Sequence, residues 1–252
     1  MASTSTSNLN AKNFVTSLPV EVLRYHLFSF LTLPDLTRLD TTSSQRRARC
    51  IVLKILNGFI IRSKVQIISL NCAEWTIRRG IRLFDVAIGC HCNSRQLLFR
   101  DISLRLFKYN CDIQKVDNMT KEGYTNEVIL LVSQNLPNLA SITHTGIDER
   151  VNTYLTDESV IMLASRCPRL IEVDLGQCSG LSKRAVIALS QGCPQLMSIY
   201  LNFWNCDDDA LMELSRNCPN LRNVNLGDCM ITDGAICELS RCCRNLMRIN
   251  LS

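Results

Sequence analysis

CPRLIEVDLGQC (Cys167–Cys178) sets the register for the rest of the chain, because CPQLMSIYLNFW (Cys193–Trp204), CPNLRNVNLGDC (Cys218–Cys229) and CRNLMRINLS (Cys243–Ser252) superpose on it. The leading leucines Leu170, Leu196, Leu221 and Leu246 recur at intervals of 26, 25 and 25 residues. A period in this range marks a repeat architecture built from stacked supersecondary units. Weaker copies run backwards through Leu139-x-x-Ile142-x-His144, Ile113-x-x-Val116 and Leu83-x-x-Val86-x-Ile88, giving seven expected strands.

Within one unit the pattern is explicit. Val173 and Leu175 lie two apart and share one face of a strand, while Glu172 and Asp174 share the other. Upstream, Val160, Leu163 and Cys167 form a helical stripe at i, i+3 and i+7. The same columns return as Val186, Leu189, Cys193; Leu211, Leu214, Cys218; and Ile236, Leu239, Cys243. Thr156, Ser182, Asp207 and Thr232 stand where helix N-caps belong, and Pro168, Pro194 and Pro219 stop the last turn. Each unit is helix, turn, short strand. Repeating that direction every ~25 residues makes the strands parallel, so the expected fold is an α/β solenoid with a parallel sheet on one side and helices on the other.

The same columns account for much of the sulfur. Cys167, Cys193, Cys218 and Cys243 share one position; Cys178 and Cys229 share another, where Trp204 replaces the thiol. A free cysteine behaves as a small buried apolar group with a weak donor. With 14 cysteines in 252 residues the chain falls short of a disulfide scaffold. The start lacks the apolar stretch of a secretory signal, so reduced thiols and a cytoplasmic or nuclear location are expected. Cys90, His91 and Cys92 with Cys111 or Cys72, or Cys237, Cys242 and Cys243, are the rival zinc-binding groups, though neither has paired C-x2-C spacing.

The repeat unit with its Cys-Pro turn, followed by Leu181-Ser182 or Ile231-Thr232-Asp233, resembles the cysteine-containing class of leucine-rich repeat. That resemblance implies a curved solenoid with the sheet on the concave side, used to bind other proteins. Ahead of it, Leu18-Pro19-Val20-Glu21-Val22-Leu23, Leu27-Phe28-Ser29-Phe30-Leu31 and Asp35-Leu36-Thr37-Arg38-Leu39 resemble an F-box. Read alone, this is a Pro-initiated helix, an apolar core and a second helix after a turn at Pro34. The resemblance implies a three-helix module that docks a Skp-type adaptor of a cullin-RING (SCF-type) ubiquitin ligase through Leu18, Pro19, Val22, Leu23, Leu27, Phe28, Leu31, Leu36 and Leu39. The chain departs from the F-box pattern at two places: one extra residue lies among Arg24, Tyr25 and His26, and Thr42 to Arg47 lacks the usual tryptophan.

The expected organisation is a disordered start over 1–13, the F-box-like helical module over 14–50, a helical connector over 51–80, and leucine-rich repeats over 81–252, strongest over 156–252. Charge divides along similar lines. Up to Gly80 there are 11 Lys/Arg against 4 Asp/Glu, and beyond it 17 against 19, so the two parts meet different partners. The basic residues of the first part are scattered with few aromatics between them, which does not fit nucleic acid. The longest apolar-looking stretch, Ile51 to Ala73, is interrupted by Lys54, Arg62 and Lys64, which does not fit a membrane span.

No cofactor is expected: G-x-G-x-x-G, G-K-[ST] and H-E-x-x-H patterns are absent. Of three histidines, His26 sits beside the F-box-like anchor, His91 lies between two cysteines, and His144 occupies an inward strand position. The run Asp207-Asp208-Asp209 stands at a helix start, where capping explains it. The chain therefore reads as a non-enzymatic substrate receptor, or as a repeat scaffold whose F-box has decayed, with a zinc protein as the third reading.

The binding strip is expected on the outward strand positions, with Glu172, Asp174, Ser198, Tyr200, Asn202, Trp204, Arg222, Asn223, Asn225, Arg248 and Asn250 as partner-binding candidates. Tyr, Trp and Arg are the side chains enriched at binding hot spots. The inserted loop Thr145 to Tyr154 is a further candidate, since such insertions fall on one face of a solenoid. The sequence stops at Leu251-Ser252 on a strand end, so the apolar column of Ile249 and Leu251 needs a cover: a partner, a second copy, or further chain.

Overall fold

The computed structural model describes residues 60–67, 70–79, 81–88, 106–109, 111–118, 124–144, 155–175, 178–202 and 204–252. The F-box-like candidates Leu18 to Leu39, the Cys90-His91-Cys92 group and the loop Thr145 to Tyr154 lie outside them.

The described chain alternates strand and helix along most of its length. In order it contains β1 (Ile60–Ile67), α1 (Leu70–Arg78), β2 (Arg82–Ile88), β3 (Lys115–Asn118), α2 (Asn126–Asn135), β4 (Ser141–His144) and α3 (Asp157–Arg166). It continues with β5 (Glu172–Asp174), α4 (Lys183–Gly192), β6 (Ser198–Tyr200), α5 (Asp208–Asn217), β7 (Asn223–Asn225), α6 (Asp233–Cys242) and β8 (Arg248–Asn250). All eight strands form one sheet in sequence order, and every neighbouring pair is parallel. A strand needs ~4.8 Å of sheet but a helix needs 8–10 Å of stack. The coil therefore curves with the sheet on its concave side. This is the leucine-rich-repeat solenoid.

Register follows the repeat columns. Val173 pairs with Ile199, Ile199 with Val224, and Val224 with Ile249, so the inward residues form one continuous row. Leu170, Leu196 and Leu221 are fully buried beside Val173, Ile199 and the helix stripe residues. The cysteine column caps each helix: the N–H groups of Cys167, Cys193, Cys218 and Cys243 donate to the carbonyls of Leu163, Leu189, Leu214 and Leu239. Each thiol then donates across to the preceding unit, Cys193 to the Cys167 carbonyl at 3.5 Å, Cys218 to that of Cys193 at 3.6 Å and Cys243 to that of Cys218 at 3.5 Å. Those carbonyls also accept from the N–H groups of Leu170, Leu196 and Leu221, so the thiol adds a second, weak bond that ties each turn to the one before it.

Helix starts are tied together in a way the repeat pattern did not announce. The Asp157 carboxylate accepts from the N–H and hydroxyl of Ser182 at 2.8 and 2.6 Å, and Asp208 does the same for Thr232 at 2.8 and 2.5 Å. Asn126 accepts from the Thr156 N–H at 2.9 Å, and Lys183 reaches Asp207 at 2.8 Å. In every case the first helical residue of one unit holds the N-cap of the next. Ser182 and Asp207 also cap their own helices through Arg184 N–H and Ala210 N–H, whereas the Thr156 and Thr232 side chains do not cap theirs.

Two expectations about the sheet change. Among the described residues it has eight strands where seven were expected, and the connector over 51–80 contains β1 as well as α1. Ile60, Ile61, Val65 and Ile67 give β1 the β-branched content that favours a strand. Its residues pair only 21 or 22 positions ahead, Lys64 with Asp85 and Ile60 with Arg82, and a register shift intervenes between Ile61 and Lys64. That short, bulged unit lacks the Cys-Pro turn, so the repeat signature does not reach it.

Candidate functional site

Alternation sends two rows of side chains onto the concave face. One row is Asp85, Lys115, Ser141, Glu172, Ser198, Asn223 and Arg248, joined in register from β2 to β8. The other runs through Asp174, Tyr200, Asn225 and Asn250. Partners in a row stand one strand spacing apart, close enough for short polar side chains to bond each other. Ser141 donates to Glu172 at 2.8 Å, Asn223 to Ser198 at 2.8 Å, and Asn250 to Asn225 at 3.2 Å. The Asn225 side chain also accepts from the Gly227 N–H at 3.0 Å. These bonds restrain the side chains that make them, which lowers the ordering cost of binding at those positions.

Electrostatically the strip has an anionic centre and a cationic end. Tyr200 sits half-buried there, and its hydroxyl pKa is raised first by burial and then by Glu172 and Asp174, with Arg248 opposing. Arg248 and Asn250 are exposed, and Asn202 is half-buried. Toward the first repeats the face becomes tighter. Tyr124 is buried, donates to the Thr143 carbonyl at 2.9 Å, and packs edge-on against His144 with ring centroids 6.3 Å apart. Burial, joined by Asp117 and Asp174, pushes the Tyr124 phenol well above its ordinary value.

Two candidates, Trp204 and Arg222, stand elsewhere than expected, and a third, Ser198, is covered where it stands. Trp204 is 1% exposed and belongs to the core, filling the column of Cys178 and Cys229, so it cannot be a surface anchor. Cys229 donates to the carbonyls of Leu201 and Trp204 at 3.2 and 3.6 Å, which seats it against the preceding turn. Ser198, at 9% exposed, is covered within the strip and accepts from Asn223. Arg222 precedes β7 by one residue and lines an edge groove with Ile171 and Met197 instead of the strip. Within the strands Glu172, Asp174, Tyr200, Asn223 and Asn225 are half-buried, whereas Arg222 stands one residue ahead of its strand, where alternation assigns no face.

Among the described residues no group of three or more His, Cys, Asp or Glu side chains is placed to hold a metal ion. Of the second zinc candidate, Cys237 is exposed, Cys242 donates to Glu238 at 3.5 Å, and Cys243 is committed to the turn. No helix among the described residues is long and apolar enough to cross a membrane.

Neither a family model nor a curated protein matches the chain. Solved structures do. The chain is similar to an internalin (inlF) of Listeria monocytogenes, at 13% identity and a TM-score of 0.47, over 80% of this chain and 63% of that one. It is also similar to a chain of the Rad7 and Elc1 complex in yeast, at 14% identity and a TM-score of 0.41, over 95% of this chain and 75% of that one. It therefore spans less than two thirds of the internalin's length.

Proposed function

We propose that this chain is a non-enzymatic protein-binding subunit that holds a target protein on its concave strip. The observation that carries the reading is the internally hydrogen-bonded polar strip itself, with the half-buried Tyr200 set between Glu172, Asp174 and Arg248. A preorganised, aromatic-centred polar surface fits recognition of another folded surface better than chemistry on a small substrate. Residues 18–47, with their F-box-like run of Leu18, Pro19, Val22, Leu23, Leu27, Phe28, Leu31, Leu36 and Leu39, would dock a Skp-type adaptor. The bound target would then be presented for ubiquitylation by a cullin-RING ligase in the cytoplasm or nucleus.

A second reading, a repeat scaffold with no ubiquitin role, is favoured by the missing tryptophan in Thr42 to Arg47. Co-purification with a recombinant Skp-type adaptor separates the two. The receptor reading expects a stoichiometric complex with the intact chain, lost on deletion of residues 18–47. An intact, folded chain that leaves the adaptor unbound establishes the scaffold instead.

A further inference from the structure

The two edges of the solenoid differ in charge. Where helices end and strands begin, the stretches 164–171, 190–197, 215–222 and 240–247 carry Arg166, Arg169, Arg216, Arg222, Arg241 and Arg244 and no aspartate or glutamate. The opposite edge between β5 and α6 carries Asp207, Asp208, Asp209, Asp228 and Asp233 against Lys183 and Arg184. Helix dipoles account for part of this: Arg166, Arg216 and Arg241 occupy last turns, where a cation is favoured. Arg216 and Arg241 are further engaged with Glu213 and Glu238. Arg169, Arg222 and Arg244 lie beyond the helices, are exposed, and make no ion pair among the described residues.

A groove of ≈ 330 Å³ runs along this edge, lined by Ile171, Gln195, Met197, Asn220, Arg222 and Asn245. Its residues fall in two rows set by the repeat. Gln195, Asn220 and Asn245 each follow a column cysteine by two positions; Ile171, Met197 and Arg222 follow one by four. Steps along a row are ~4.8 Å, so four units span ~14 Å, the reach of about four residues of extended chain. One row offers amides that can bond a peptide backbone. The other offers two apolar side chains and a free guanidinium, whose planar fork suits a carboxylate.

We infer that this edge groove binds a short, extended acidic segment of a partner protein. A carboxylate of that segment sits on Arg222, an apolar side chain rests against Ile171 and Met197, and Arg169 and Arg244 attract the flanking acids. A nucleic-acid backbone fits less well, since the lining holds one cation among amide and apolar groups and no aromatic ring to stack a base. The inference takes from the proposed function only that the partner is a protein; the location is separate from the concave strip.

The test uses the full chain and a short labelled peptide in which aspartate and glutamate alternate with leucine. Controls are the same peptide with lysine for the acids and a single-stranded oligonucleotide of equal charge. Expected is binding of the acidic peptide alone, weakened by salt and weakened about tenfold by Arg222→Glu or by Asn220→Asp. Both positions are exposed, so these variants keep the wild-type thermal melt. Tyr200→Ala leaves peptide binding unchanged. Absence of peptide binding, equal binding by Arg222→Glu, or equal affinity for the oligonucleotide overturns the inference. Loss of the peptide in Tyr200→Ala moves its site to the concave strip, overturning the edge groove while leaving the receptor reading intact.

Discussion

Cys167, Cys193 and Cys218 each sit in a turn with the thiol on a carbonyl of the preceding unit, and burial pushes the pKa of each up to about 12. An unfolded cysteine ionises near 8.5. The folded chain therefore keeps protons that the unfolded chain releases above that value. Stability from this source is fully present below about pH 8.5 and is lost as pH rises toward 12, by at most about 1.4 kcal/mol per pH unit for each thiol. Urea midpoints measured from pH 8 to 10.5 should fall, and the fall should be shallower in Cys193→Ser, which removes one titrating group. Parallel slopes in the two proteins would show that the column does not carry the alkaline loss. That these cysteines are structural was legible in the sequence, because four of them hold one column. The place of Trp204 was less so: a lone aromatic in a cysteine column reads equally as a filler or an anchor, and only its burial decides.

Among the elements, the helices owe their mutual alignment to side chains at their first residues. Asp157 makes two hydrogen bonds to Ser182 across the α3–α4 boundary. Hydrogen bonds to a charged acceptor contribute about 1.5–3 kcal/mol when sheltered and less when partly exposed, as here. Asp157→Ala should therefore lower stability by about 1–2 kcal/mol. A double-mutant cycle with Ser182→Ala should return a coupling of about 0.5–1.5 kcal/mol from urea melts. A coupling near zero would mean that the stacked helices alone set the alignment. Capping residues were legible at Thr156, Ser182, Asp207 and Thr232, since they precede each apolar stripe. Their partners were not, because Asp157 and Asp208 lie 25 and 24 residues from the groups they bond, and local capping rules look only three residues ahead.

At the scale of the molecule, the described repeats form a one-dimensional stack whose stability divides into units and the interfaces between them. The sequence revealed the strong units because several independent columns agree there; it missed β1, where the unit shortens and the signature columns vanish together. The same reasoning ranks the units by strength. In α3, α4 and α5 four side chains each are buried, but in α6 only Ala235 and Leu239 are. In β8 all three residues are exposed, and Met247 and Leu251 beside it are 74% and 56% exposed. A unit with fewer buried contacts opens at lower free energy, and amide exchange reports that opening locally. Native-state hydrogen exchange on this chain should show α6 and β8 losing protection first, with α4, α5 and β6 protected longest. Adding Arg222→Glu should leave this order unchanged, since the side chain is exposed. Uniform protection from α3 through α6 would mean that the stack opens as one block and that unit-by-unit burial does not govern it.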